Sequence, residues 1–251
     1  MKKEEQFILR RFLDLSNQAY QKNIVVFSDF LNMYEISLLY QGEKEYASSF
    51  SLYGGYEYAE RQMVSFQPDA LYYEWEYPIA CLEFTPVNRR FADQNLSHRD
   101  VLGALMNLGI DRSKLGDILL EEGAVYLFCV DSVANFVTDE LRQVRHTQIQ
   151  GKRIASQDFQ PTPHFEEHFG FIASNRLDAF VAQIFKLSRS SAHEYLMGEK
   201  VFVNSRCVTN PNQKLSPGDI LSVRGQGRVL FDDFGGQSKK GRLGISYRIY
   251  K

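Results

Sequence analysis

Apolar residues recur along this chain with two periods, one near 3.6 residues and one of 2, and the changes between them mark out its elements. Phe7, Ile8, Phe12, Leu13 and Leu15 form a helical stripe, so an opening helix is expected. Ser28 is placed to cap a second helix running to Tyr40. The run SFSLYGGYEYAERQMVSF, residues 49–66, is less regular: Gly54-Gly55 marks a turn, with Tyr53, Tyr56 and Tyr58 clustered about it. Tyrosines exposed beside Arg61 could stack on bases, although such a cluster more often closes a small core.

From about residue 77 a second pattern begins. Residues 79–87 read as a strand, and SHRDVLGALMNLG, 97–109, as a capped helix with Val101, Leu102, Leu105 and Leu108 on one side. Residues 117–120 and 124–130 read as strands joined by a hairpin at Glu121-Glu122-Gly123. A second helix over 132–144 and a last strand over 147–154 complete the order strand-helix-strand-strand-helix-strand, which is ferredoxin-like and is also used by RNA-recognition domains. The third strand, AVYLFCV, lacks the basic-glycine-aromatic signature of those domains, although Tyr126 and Phe128 share a face by period two. A single-base-reading surface is therefore not expected there, which leaves binding by shape or backbone.

Residues 157–170, QDFQPTPHFEEHFG, read as a linker containing Pro161 and Pro163. His164 and His168 match the H-x-x-E-H spacing of some zinc peptidases. That chemistry needs both histidines on one helix face, and a run flanked by Pro163 and Gly170 offers no helix of useful length, so no metal is expected.

The C-terminal third is patterned most sharply. Leu177, Phe180, Val181, Ile184 and Phe185 form an amphipathic stripe. Ser188 then caps a second helix carrying Ala192 and Leu196, which ends at Gly198. Val201 and Val203 belong to a short strand, Asn204-Ser205 to a turn, and Pro217-Gly218 to the centre of a type II turn before a strand over 220–223. Residues 229–234 and 243–250 should pair as a hairpin whose tip, GGQSKKGR, presents Lys239 and Lys240.

Charge sharpens this picture. The chain has 251 residues with net charge −2, yet residues 174–251 carry 13 Lys+Arg against 6 Asp+Glu, and the remainder 16 against 25. A +7 segment inside an otherwise acidic chain is how a nucleic-acid patch looks, and by charge alone a solvated basic face looks the same. The SRSS tip, 188–191, opens a helix whose free N–H groups can cradle a phosphate. Arg189 in its first turn opposes the helix dipole, which suggests an arriving anion. Arg176, Lys186, Lys200, Arg206, Lys214, Arg224 and Arg228 surround the tip in sequence.

The 44% hydrophobic content is globular. No run of eighteen apolar residues predicts a membrane span, and the opening MKKEEQFILRRF has no apolar secretory segment. Cys81, Cys129 and Cys207, odd in number and far apart, read as reduced thiols of a cytoplasmic protein. No serine elbow, phosphate loop or paired-cysteine motif argues for an enzyme, and no cofactor is expected.

The ordered elements RLD, SRS, the glycine, VFVN and SPGD, within 176–228, resemble the small RNA-binding domain of the ribosomal-protein-S-four type. Over nearly its full length the chain resembles the YlmH family of bacterial proteins, through LYGGYEYAERQ, HRDVLGALMNLGIDRSKLGDIL, SNRLDAFVAQ with the SRS motif, and SKKGR. The resemblance implies a cytoplasmic, non-enzymatic RNA-binding protein, encoded in some bacteria beside cell-division genes. Through a quality-control factor of the same domain type, it further implies binding to rRNA, and to tRNA, on a large ribosomal subunit carrying stalled peptidyl-tRNA. On that reading Arg176, Ser188, Arg189, Ser190 and His193 meet structured RNA, with Lys200, Asn204 and Arg206 alongside.

The expected architecture is α+β in three small domains: an N-terminal unit over 1–75, a ferredoxin-like domain over 76–156, a linker over 157–173, and the S-four-type domain with its hairpin over 174–251. Two other functions stay open: an RNA-modifying enzyme anchored by the C-terminal domain, and a cell-division interaction protein whose basic patch meets another protein.

Overall fold

The computed structural model describes residues 3–88, 96–121, 123–155, 159, 161 and 164–250. Contacts divide it into two compact units, 1–35 with 41–161, and 36–40 with 162–251. Among the described residues the strands form three sheets.

The opening stripe folds as α1 (Lys3–Lys22), which buries Phe12, Ser16 and Ala19. Glu4 and Glu5 lie in its first turn and Lys22 in its last, the arrangement its dipole favours. β1 (Val26–Leu31), α2 (Met33–Gln41), β2 (Ser49–Tyr53) and β3 (Gln62–Gln67) follow, the strands forming an antiparallel sheet in the order β1-β3-β2. Ser28 is not a helix cap. It lies in β1, where its hydroxyl accepts from Val64 N–H at 3.1 Å. The cap of α2 is Asn32, whose Oδ1 accepts from Tyr34 and Glu35 N–H while the Glu35 carboxylate accepts from Asn32 N–H. A short apolar run such as VFSDFL carries too few residues for periodicity to separate strand from helix.

The central elements are β4 (Ile79–Pro86), α3 (His98–Asn107), β5 (Leu115–Glu121), β6 (Ala124–Val130), α4 (Asp131–Glu140), β7 (Gln143–Val144) and β8 (Thr147–Ile154). The sheet order β5-β6-β4-β8-β7, antiparallel throughout, contains the ferredoxin-like arrangement with one added edge strand. Ser97 caps α3 in a reciprocal box with Asp100, and the hydrogen bonds from Ser97 hold the Asp100 carboxyl below its ordinary range. The second helix stops at Glu140 instead of running to 144. Gln143 and Val144 pair back onto Gln148 and Thr147 around Arg145, whose φ of 54° makes the tight turn. Glu122 of the expected hairpin lies outside the described residues.

The central sheet is covered on both faces. Leu82 and Leu127 pack with Val101, Leu105 and Val137 of the helices. On the opposite face, Cys81 and Phe128 meet Phe30, Tyr56 and Met63 from the N-terminal segment. One core thus joins residues expected in separate domains.

The C-terminal unit comprises β9 (Phe165–Ile172), α5 (Leu177–Ile184), α6 (Arg189–Met197), β10 (Val201–Val203), β11 (Arg206–Cys207), β12 (Ile220–Val223), β13 (Gly227–Gln237) and β14 (Leu243–Tyr250). Its sheet runs β11-β10-β12-β13-β14-β9, and both helices pack on a core containing Phe180, Leu196, Phe231 and Ile245. Residues 165–172, expected in the linker, are instead a full edge strand paired along β14 from Phe165↔Tyr250 to Ile172↔Leu243. Gly170 and Ile172 are buried while Phe169 and Phe171 are exposed, an alternation that the prolines nearby obscured. His168 therefore lies within β9 and His164 just before it, so the two do not share a helix face as the H-x-x-E-H chemistry requires. Pro163 lies outside the described residues.

Candidate nucleic-acid interface

Arg176 is the N-cap residue of α5, and its guanidinium meets the Asp178 carboxylate through two hydrogen bonds of 3.0 and 2.9 Å. Leu177 and Asp178 donate their N–H groups to the carbonyls of Gln213 and Pro211. This end of α5 is thereby closed to an anion by the loop that carries exposed Lys214. The RLD motif is thus partly structural: Leu177 enters the core and Asp178 orients the arginine.

About 12 Å away, at the other end of α5, the chain turns through Lys186 with φ 53° into the serine tip. The Ser188 hydroxyl accepts from Ser191 N–H at 3.0 Å and lies 2.8 Å from the Ser190 hydroxyl and 2.9 Å from that of Ser191. This caps α6 while the N–H groups of its first residues point out of the helix end, as helix geometry requires. Arg189 and Ser190 are exposed in that first turn, and exposed His193 stands one turn beyond Arg189 on the same side. Lys186, Ser188, Arg189, Ser190 and His193 form one polar, basic tip.

The remaining expected residues do not gather there. Lys200 follows α6, its ammonium 5.5 Å from the centre of the Tyr195 ring. Gly198 has φ −81°, and the left-handed residue that ends the helix is Glu199, at 55°. Arg206 lies 4.2 Å over the Tyr40 ring, which belongs to the same unit. Arg228 lies 4.7 Å over the Tyr250 ring. Asn204 occupies the Asn204-Ser205 turn, both residues with positive φ, and its amide donates to Asp219 at 2.8 Å and accepts from Ile220 N–H at 2.9 Å. Lys239 and Lys240 cap the β13–β14 hairpin, whose turn closes through Ser238 N–H to the Arg242 carbonyl. The sequence reading missed the partners that orient these cations, Asp178, Tyr195, Tyr40 and Tyr250. The i,i+2 spacing of Arg176 and Asp178 was the one available signal.

On the central sheet the aromatic positions that RNA-recognition domains expose are filled by the chain's own rings. Tyr126 stacks on Phe159 with centroids 3.6 Å apart, and Phe128 on Tyr56 at 5.1 Å.

Two short helices on an antiparallel sheet, opening at a serine-capped basic tip, define an RNA-binding domain of the S4 type. The S4 domain model matches residues 175–221, and the family model described as "Putative RNA-binding domain in YlmH" matches residues 74–158. The chain is 30% identical over 255 residues to the ribosome-associated protein quality control protein P2 of Bacillus subtilis (strain 168), covering 100% of this chain and 97% of that protein. Its fold matches that of cell division protein ylmH from Streptococcus pneumoniae with a TM-score of 0.52 at 21% identity, over 64% of this chain and 97% of the other. The chain belongs to the YlmH family.

Proposed function

We propose that this protein is a non-enzymatic, cytoplasmic factor that binds structured rRNA and tRNA on the large ribosomal subunit and serves the rescue or quality control of stalled peptidyl-tRNA complexes. The observation that carries the reading is the tip 186–193, where a serine-capped helix N-terminus and two cations face solvent together. Such a site takes a phosphate oxygen without reading a base. The +7 charge of residues 174–251 supplies the long-range attraction. The similarity to a ribosome-associated quality control protein supports the ribosome as the setting. With both faces of the central sheet covered, contact with RNA is concentrated in the C-terminal unit.

The test is sedimentation of the full chain with separated large subunits, small subunits and large subunits carrying peptidyl-tRNA, at graded salt. Preferential, salt-sensitive sedimentation with the peptidyl-tRNA-bearing large subunit is expected. Equal binding to all three, or none, would overturn the reading.

A further inference from the structure

β9 and the β13–β14 hairpin lie outside the matched S4 segment, and their solvent face has features the tip does not explain. Phe169 and Phe171 are 60% and 39% exposed, on the face of β9 away from the buried Gly170 and Ile172. Their rings meet edge to face with centroids 5.3 Å apart. Single exposed apolar residues are ordinary, but this pair has a prepared seat. A Cβ added at Gly235 would come within 3.2 Å of the Phe169 ring, and one at Gly244 within 3.0 Å of the same ring and 2.7 Å of the Gly236 carbonyl oxygen. The two glycines leave a floor of bare backbone on which an exposed ring can lie.

The hairpin end of this face is basic. Phe171 pairs with Gly244, so the pair sits at the end of the sheet where the hairpin turns through Lys239, Lys240 and Arg242. No acidic residue occurs from 234 to 250. The acidic residues of this face lie on the side of Phe169 away from that turn: Glu167, two residues before it and paired with Arg248, and Asp233, paired with the Ser246 that faces Phe169. Exposed rings on an antiparallel sheet, flanked by cations, suit bases that are unpaired and free to stack, with the cations on their phosphates. A duplex hides its base faces and would use only the cations.

We propose that this sheet face is a second RNA contact, taking unpaired nucleotides by stacking on Phe169 and Phe171 with their backbone held by the 239–242 turn. It rests on the RNA-binding reading above and extends it from phosphate positioning to single-strand recognition.

The experiment uses the full chain, a fluorescein-labelled oligouridylate and a duplex RNA of equal length. Phe169→Ala/Phe171→Ala should weaken oligouridylate binding about ten-fold or more while sparing the duplex. Phe169→Leu/Phe171→Leu, which keeps apolar area and loses the rings, should behave alike, and Phe169→Tyr/Phe171→Tyr should bind as wild type. Lys239→Ala/Lys240→Ala should weaken both RNAs and reduce the salt dependence by roughly two counterions. Ultraviolet crosslinking should mark the peptide bearing Phe169 and Phe171. Unchanged oligouridylate affinity in a double phenylalanine variant that melts like wild type would overturn the proposal and assign the rings to a protein partner. If in that case Arg189→Ala still weakens binding, the RNA reading survives; if the wild type binds neither RNA, both fall.

Discussion

Tyr56 stacks on Phe128 with ring centroids 5.1 Å apart and planes 27° from parallel, and its hydroxyl donates to Asp117 at 2.8 Å. The same carboxylate accepts from Glu60 N–H and Arg61 N–H at 2.7 and 3.0 Å. The Arg61 guanidinium reaches the carbonyls of Leu115, Phe30 and Arg112. One tyrosine-led turn thus covers the aromatic face of the central sheet. Burial lowers the Arg61 pKa and, helped by the like charge of Arg61, pushes Arg112 down to about 10. LYGGYEYAERQ, a stretch that carried the family resemblance, is here a structural clasp.

Gly55 tests that clasp. Its φ is 101°, and an added Cβ would stand 2.3 Å from the Phe128 ring. Gly55→Ala should therefore destabilise the N-terminal unit by about 3 kcal/mol, combining overpacking with a strained backbone. Trp75, the single tryptophan, packs on Phe27 and Tyr77 of that unit, so its fluorescence during urea unfolding reports the change. A loss under about 1 kcal/mol would show that the sheet face yields more readily than its packing implies.

Thiol chemistry reports both faces of the central sheet independently, Cys81 on the Phe128 side and Cys129 on the helix side. Burial pushes the Cys81 and Cys129 thiols up to about 12, with Glu83 adding to the first and Cys81 to the second. Cys207 is only partly buried, and its smaller rise also comes first from burial. Because the thiolate is the nucleophile, iodoacetamide at pH 8 should label Cys207 first in the native protein, and all three residues after denaturation. Mass spectrometry of digests gives the order, and early labelling of Cys129 would contradict the packing.

Asn204 should prove structural. Asn204→Ala removes the bonds to Asp219 and Ile220 and places alanine at φ 49°. A loss of about 2–3 kcal/mol is expected, with Asn204→Gly recovering about 1 of it through backbone freedom. Amide exchange in β10 and β12 should quicken accordingly, while RNA affinity of the folded variant stays unchanged. A folded variant that binds RNA weakly would return Asn204 to the interface.

What was legible in the sequence follows the range of each interaction. The helices and turns of 176–223 were readable because their signals are local: the Leu177–Ile184 stripe, the Ser188 cap, and Pro217-Gly218, where Gly218 has φ 90° and Asp219 N–H closes onto the Ser216 carbonyl at 3.0 Å. The βαββαβ order was readable for the same reason. β9 was not, because its partners on β14 lie 71 to 85 residues on and the prolines and histidine just before it imitate a linker. The joint core was not either, since nothing near Tyr56 announces Phe128. Of the candidate site, the basic tip was legible. So was the turn at Asn204, but not the bond that ties its side chain to Asp219, fifteen residues away.

Arg189 decides whether the tip is the RNA contact. It is exposed at the first position of α6, where its charge opposes the helix dipole. The dipole cost is below about 1 kcal/mol, so Arg189→Ala should leave thermal melting nearly unchanged. If a phosphate sits on the α6 N-terminus, the side chain is within reach of its oxygens, and the same substitution should weaken binding to all RNA sequences alike. The slope of log affinity against log salt should fall by roughly one counterion. Arg189→Glu should bind more weakly still, because it adds repulsion to the lost contact. Salt titrations of large-subunit binding for wild type and both variants, with melts as the folding control, make the measurement. An Arg189→Glu protein that folds, and whose affinity and salt slope match wild type, would place the RNA elsewhere on the C-terminal unit.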